Sequence, residues 1–461
     1  MNLRTINMNS PDKSIVSSIQ TKKIPATSLL RMWCLGSTHA KIAVNFLSYA
    51  VQKNFMHGDK RQQAFNQAQL KSALQLIGTM GYLRGVVMKT GQLIANLPQI
   101  ISPELVEIFE SMQFQAPPMH FSLIRELFLD ELGKEPEEIF AYFDKNAFAA
   151  ASLGQVHRAR LHDGTELVVK IQYPNIAETI DADFTSLIML LQTIRFKKNY
   201  QYLHAHVIDA KEVLLQEVDY LKEAAYMEKN RRLFAGTNVV VPEYYPEFST
   251  KKVLTMEYLP GQHLQSFLTS NPSLQERNHF GELISYALIH SYFRFRCIYA
   301  DFHPGNFIFM DDGRLGFIDF GCYREYSLER WWLQLESEDA MVCQDREKVL
   351  QFLAKFSFHD SSDDLDPAWR DLMLKQVDWI VRPITNKGPF DFADKGYVDE
   401  GIDLFKKLLR NSYSRTDSFY NWSNRALLGH RSMMYRLQCN FDYGSMYLHE
   451  AQRAVNRPPN I

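Results

Sequence analysis

The sequence is poor in cysteine, with five in 461 residues (Cys34, Cys297, Cys322, Cys343 and Cys439), dispersed and without a CxxC pair. An odd, scattered set excludes a disulfide framework and a zinc ribbon, and it fits a reducing compartment. No apolar run approaches the ~18 residues of a membrane-crossing helix, so none is predicted. The 14 histidines offer no HExxH and no paired metal spacing, and His204 with His206 reads as a solvated turn. A net charge of −2 leaves no basic excess, which excludes nucleic acid as a partner. Internal repeats and low-complexity tracts are also missing. Acids are scarce in one place: residues 1–55 carry Arg4, Lys13, Lys22, Lys23, Arg31, Lys41 and Lys53 against a lone Asp12. That segment reads either as a flexible tail leading into a basic helix that touches anionic lipid, or as a mitochondrial transit peptide.

What is present is a chain of ordinary globular composition, long enough for two to three domain-sized units of ~100–200 residues. Its most informative stretch is residues 299–321, YADFHPGNFIFMDDGRLGFIDFG. Two apolar runs, 307–310 and 315–318, flank the turn residues Asp311, Asp312 and Gly313, which predicts a hairpin. Asp301 and Asn306 stand before it and Asp319 after it. An Asp followed five residues on by an Asn, then a hairpin, then DFG, is the layout of a kinase catalytic loop. The chemistry suits that order. Asp301 can orient the attacking oxygen, while Asn306 and Asp319 offer hard oxygen ligands to phosphate-bridging Mg²⁺. Either element alone is weak evidence; the two together, in this order, are strong.

Upstream, Ala149, Ala150, Ala151, Ser152, Leu153, Gly154 and Gln155 stand where a kinase carries its phosphate loop. Small residues let main-chain N–H groups approach phosphate, although an alanine run in isolation more often reads as helix. The run feeds predicted strands over 155–160 and 166–172, joined by His162, Asp163 and Gly164. The second strand carries Lys170 where a kinase has its phosphate-gripping lysine; taken alone, it is equally an edge-strand lysine. A helix follows over about 207–234. At 100° per residue Glu217 falls within its apolar arc, beside Leu214, Leu221 and Tyr220, and Glu223 lies just off the edge. A carboxylate there requires a cation, and the periodicity does not choose between Glu217 and Glu223 as partner to Lys170. A strand over 253–258 runs into Glu257, Tyr258, Leu259, Pro260 and Gly261, a hinge whose backbone at Glu257 and Leu259 would meet adenine. Helices are expected over 64–97, 121–132 and 278–296. After Gly321 the chain reads as helical, without Ala-Pro-Glu, and the stretch 425–451 is assigned to packing.

The wording ADFHPGNF…GFIDFG, with Lys89-Thr90-Gly91-Gln92 and AAASLGQVHRA upstream, resembles the UbiB/ADCK (AarF-type) family of atypical, protein-kinase-like ATP-binding proteins. The resemblance runs from about residue 70 to the end of the sequence. It implies an α+β, atypical protein-kinase-like bilobal fold: a basic N-terminal segment (1–63), a helical KxGQ extension (64–145), an N-lobe (146–260) and a C-lobe (261–461). It further implies that Lys89, Gly91 and Gln92 lie on a helix folded over the cleft. Glu223 would pair with Lys170, and Glu217 with Asp219 would face the KxGQ helix at Lys89. Phe302 stands where the family commonly has proline and Leu153 where isoleucine is usual; neither carries a ligand atom. The implied activity is Mg²⁺-dependent ATP binding with hydrolysis or phosphoryl transfer, in ubiquinone (isoprenoid-lipid) biosynthesis. Implied partners are ATP and ADP, an isoprenoid lipid or quinone precursor, and proteins of the quinone-biosynthesis complex. The implied location is the cytoplasm with peripheral membrane contact, or the mitochondrial matrix in a eukaryote. Two rivals are a nucleotide-gated scaffold with incidental turnover and a protein kinase acting in trans, against which the missing Ala-Pro-Glu counts. A small-molecule kinase shares the Asp and Asn but lacks KxGQ.

Overall fold

The computed structural model describes residues 119–151, 153–192, 200–357, 361–410 and 418–456. The helix expected over 64–97, with Lys89, Gly91 and Gln92, lies outside these residues, as does Ser152. The first element is α1 (Phe121–Leu132), with the bounds expected from its pattern. His120 starts it by accepting the Ser122 amide, and Gly133 stops it in the left-handed region at φ 69°. A one-turn helix, α2 (Pro136–Ile139), leads into β1 (Tyr142–Phe143), β2 (Ala149–Ala151), β3 (Gly154–Arg160) and β4 (Glu166–Gln172). With a later strand over Val253–Glu257 these form one antiparallel sheet, in which β3 and β4 are central and β2 folds back on β3.

Side chains alternate between the two faces of a strand. Leu167, Val169 and Ile171 of β4 take one face, fully buried against Ile124, Phe128 and Phe140. Residues 119–145 therefore share a core with the sheet. Lys170 falls on the other face.

Next come α3 (Ile176–Gln192) and α4 (Tyr200–Glu217), whose buried Ile180, Phe184, Val207 and Leu214 form a small core with Leu153. The helix expected over 207–234 is in fact two, because α5 (Tyr220–Leu233) starts afresh after Val218 and Asp219. The Gln172 amide donates to the carbonyls of Val218 (2.7 Å) and Lys251 (2.9 Å), and the Tyr220 N–H donates to Lys251 O (3.1 Å). Tertiary bonds thus satisfy backbone groups at the break, where the helical ladder would otherwise continue.

The chain continues through β5 (Val239–Val240), β6 (Val253–Glu257) and α6 (Leu264–Thr269) to the long helix α7 (Leu274–Phe295). That helix begins at Leu274 rather than 278, because Ser273 and Glu276 form a capping box. It ends at Arg296, in the left-handed region at φ 55°. Then follow β7 (Cys297–Tyr299), β8 (Phe307–Phe309), β9 (Leu315–Phe317) and β10 (Tyr323–Glu325). The expected hairpin is β8 and β9, turned at Gly313 with φ 82°, and β5 lies parallel to β9. Strand β10 pairs antiparallel with β7, placing Tyr323 opposite Tyr299; it is too short to carry a readable period.

The remaining elements are α8 (Leu328–Val342), α9 (Arg346–Phe356), α10 (Pro367–Thr385), β11 (Phe390–Asp391), α11 (Lys395–Arg410), α12 (Ser418–Leu437), β12 (Asn440–Phe441) and α13 (Tyr443–Asn456). The single helical stretch read over 425–451 is thus interrupted. Gln438 turns left-handed (φ 52°) and the Asn440 N–H donates to the Asn278 side chain at 2.7 Å. Helix α13 is seated on α7 by the buried Glu450, 3.0 Å from His290 Nδ1 and 3.4 Å from Arg294 Nε. Among the described residues no helix is long and apolar enough to cross a membrane.

Candidate nucleotide site

The alanine run is a strand, not a helix or an open loop. Ala149 pairs with Val156 and Ala151 with Gly154 in a tight hairpin. Gly154 is required by a close approach: a Cβ there would lie 2.1 Å from the Ile171 carbonyl oxygen on β4. Leu153, at the tip, is 3% exposed and packs into the α3/α4 core, and its carbonyl accepts the Tyr173 amide at 3.1 Å. The hairpin is therefore pinned at its tip.

Gln155 corrects the sequence reading. Its register on β3 puts it on the face away from Lys170, where it is 1% exposed. Its Oε1 accepts the Met119 N–H at 2.6 Å and its amide nitrogen lies 2.7 Å from His157 Nε2. The Gln155 side chain braces α1 against the sheet and does not face the cleft.

On the cleft face, β4 and α5 meet at one ion pair. Lys170 Nζ lies 2.9 Å from both Glu223 carboxylate oxygens and 3.3 Å from Asp319 Oδ2. This resolves the choice that periodicity left open: Glu223, in the first turn of α5, is the partner. Burial pushes the lysine toward neutrality, but Asp319 and Glu223 outweigh it and hold the ammonium well above its ordinary range. Burial raises the Glu223 carboxyl against the pull of Lys170, and its Oε1 also accepts the Phe320 N–H at 3.4 Å. The Tyr220 ring completes the wall, its centroid 5.1 Å from Lys170 Nζ. Asp319 is oriented by the Gly321 N–H, which donates to Oδ1 at 3.0 Å. Its side chain keeps 29% exposure, against 1% for Glu223, so it can turn toward a ligand without a large desolvation change.

The candidate catalytic residues Asp301 and Asn306 are built on β7 and a single turn over Pro304–Asn306 that His303 caps by accepting the Gly305 N–H. Asn306 donates to the Asp301 carbonyl (3.0 Å) and the Tyr299 hydroxyl (2.6 Å), and its own carbonyl accepts the Ile318 N–H at 3.1 Å. These bonds tie Asp301, Asn306 and the DFG strand into one piece. Phe302 is buried against Tyr299, and Gly429 of α12 abuts it so closely that a Cβ would lie 2.9 Å from Phe302 Cβ.

At the hinge, the Tyr258 N–H donates to Glu166 O at 3.0 Å and the Arg158 guanidinium stacks 3.4 Å above the Tyr258 ring. Leu259 is buried over Gly316. The Glu257 carboxylate accepts the Glu243 N–H at 3.2 Å, so its side chain turns away from an adenine role and only its main chain remains for one.

Glu217 is buried beside Gly321, and one carboxylate oxygen of Asp219 is buried without a hydrogen-bond partner among the described residues. Both carboxylates sit at the α4/α5 break. Two contributors escaped the sequence reading. Tyr299 is hidden in a short buried strand. Arg425, on a helix assigned to packing, is raised in pKa against its burial by Cys322, Asp301, Glu217 and Tyr299. A charged residue within an aromatic helix was the available signal.

Among the described residues there is no cluster of three or more His, Cys, Asp or Glu side chains placed to hold a metal. Asn306 and Asp319 are a two-oxygen set, which suits Mg²⁺ carried in with phosphates and water rather than a cation caged by protein.

The sequence model of the ABC1 atypical kinase-like domain matches residues 111–353. The Dictyostelium discoideum protein named probable serine/threonine-protein kinase abkA is 25% identical over 418 residues, 84% of this chain and 73% of that protein. The Caenorhabditis elegans protein named atypical kinase coq-8, mitochondrial, is 26% identical over 466 residues, 98% of this chain but 60% of that protein. A solved Mycobacterium tuberculosis protein, bound to erythromycin, superposes with a TM-score of 0.56 at 22% identity, covering 87% of this chain and 98% of its own. At that identity the likeness speaks to the fold alone.

Proposed function

The chain belongs to the ABC1 atypical kinase-like family, and we propose that it binds ATP with Mg²⁺ and catalyses ATP hydrolysis or phosphoryl transfer. The observation that carries this reading is the contact of Lys170 with Glu223 at 2.9 Å and with Asp319 at 3.3 Å. A buried lysine held cationic by two carboxylates, one of them partly exposed, is preorganised to receive phosphate oxygens. Lys170 holds the α- and β-phosphates. Main-chain groups of the Ala149–Ala151 hairpin cover them, and those of Glu257 and Leu259 meet the adenine. Asn306 and Asp319 are the metal's protein ligands. A metal held by Asn306 and Asp319 would supply positive charge to the phosphates. Asp301 orients the attacking oxygen.

Glu217 with Asp219 would face the KxGQ helix at Lys89, and the buried Asp219 oxygen without a described partner supports that reading. The partition into segments 1–63, 64–145, 146–260 and 261–461 belongs to the same proposal. So does a setting in ubiquinone biosynthesis at a membrane or in mitochondria, with a quinone precursor and its biosynthetic proteins as partners. The nematode relative's name supports that setting.

Asp301→Asn tests the chemistry. ATP hydrolysis should fall by about 10²–10⁴-fold while nucleotide binding persists; unchanged hydrolysis would refute the role of Asp301. A second reading is a nucleotide-gated scaffold, favoured by the hairpin tip pinned through Leu153. It is supported if cells lacking the protein are rescued by the hydrolysis-dead variant.

A further inference from the structure

A carboxamide is an ambiguous ligand for a hard cation. Its oxygen coordinates, whereas the same group rotated half a turn presents an NH₂ that cannot. Asn306 resolves the ambiguity through two anchors. One amide hydrogen goes to the Asp301 main-chain carbonyl at 3.0 Å, an atom that only accepts, so the nitrogen must lie on that side. The other goes to the Tyr299 hydroxyl oxygen at 2.6 Å. Both N–H bonds are then used, and Oδ1 is the atom left for a cation. The Asp301 carbonyl alone is one pivot on a loop. Tyr299 adds a second from a strand.

Tyr299 is well built for this. It is 1% exposed and wedged among Phe302, Phe317 and Tyr323, with ring centroids 5.3, 4.8 and 5.4 Å away. The β7–β10 register fixes its backbone opposite Tyr323.

We propose that Tyr299 is a positioning residue for the metal: its hydroxyl fixes the Asn306 carboxamide with the oxygen toward Mg²⁺. This rests on the reading of Asn306 as a metal ligand. A purely structural Tyr299 would change melting temperature and leave the Mg²⁺ dependence alone.

The test is Tyr299→Phe, which removes the hydroxyl and keeps the ring. Mg²⁺ is titrated at saturating ATP, reading both hydrolysis and thermal shift, beside wild type and Asn306→Ala. The Mg²⁺ concentration for half effect should rise about tenfold in Tyr299→Phe, the scale of one lost hydrogen bond, with Mg²⁺-free nucleotide binding unchanged. If Tyr299→Phe does not fold, 3-fluorotyrosine at 299 weakens the acceptor and should shift the titration the same way by less. A wild-type titration in Tyr299→Phe, with Asn306→Ala impaired, overturns the proposal alone. A wild-type titration in Asn306→Ala overturns both the proposal and the metal role beneath it.

Discussion

Lys170→Met should make stability depend on pH. The substitution leaves Glu223, whose side chain is 1% exposed, without its cation and beside the Asp319 charge. Removing one partner of a buried pair costs about 3–5 kcal/mol. Burial already holds the Glu223 carboxyl above its ordinary range even with Lys170 beside it; without the lysine that push is unopposed. The folded variant then keeps a proton on Glu223 that the unfolded chain releases above about pH 4.3. A raised folded pKa gives stability that is complete below the unfolded pKa and is lost as pH rises toward the folded one. The loss approaches about 1.4 kcal/mol per pH unit across that window. Urea unfolding of the nucleotide-free protein, compared at about pH 5.5 and about pH 8, measures it. The gap to wild type should widen with pH, and Asp319→Asn in the same background should narrow it at the higher pH. An equal gap at both pH values would refute the assignment of Glu223 as the buried partner.

Gln155→Ala should lower stability by about 1–3 kcal/mol, the cost of leaving the Met119 N–H and His157 unsatisfied, and should not change nucleotide affinity. A weakened affinity at unchanged stability would return Gln155 to the site. Glu450→Gln should cost about 1.5–3 kcal/mol at neutral pH, because it removes the ionised acceptor for His290 and Arg294. Burial alone would raise the Glu450 carboxyl, but His290, Arg294 and Arg453 hold it below its ordinary range. That stability is present above the unfolded pKa and lost as pH falls through the folded one, so the two proteins should converge in acid, as followed by urea unfolding.

The site was legible in the sequence where its chemistry is local. Asp301, Asn306, the β8/β9 hairpin and Asp319 are close in the chain, and turn residues mark the hairpin. What was not legible depends on contacts between distant segments. The α4/α5 break is made by Gln172 and Lys251 reaching backbone groups near 218–220, and without it the helical wheel could not separate Glu223 from Glu217. The direction of the Gln155 side chain follows from the register of β3 on β4, which pairs it with Ile171 rather than Lys170, and motif position alone does not carry that register. Tyr299 and Arg425 owe their place to packing around the catalytic loop, and neither lies in a pattern with a readable period. The interruption at Gln438 is likewise made by a distant partner, Asn278.

The central claim is that Lys170, Asn306 and Asp319 form a Mg²⁺-nucleotide site. Thermal-shift titration with ATP and ADP, with and without Mg²⁺, on wild type and Asp319→Asn tests it most directly. Binding to the folded state adds stability by mass action, about 2.7 kcal/mol at a hundredfold excess over Kd. The account predicts a Mg²⁺-dependent rise in Tm for wild type that Asp319→Asn loses. No shift with either nucleotide, or the same Mg²⁺-dependent shift in both proteins, would contradict it.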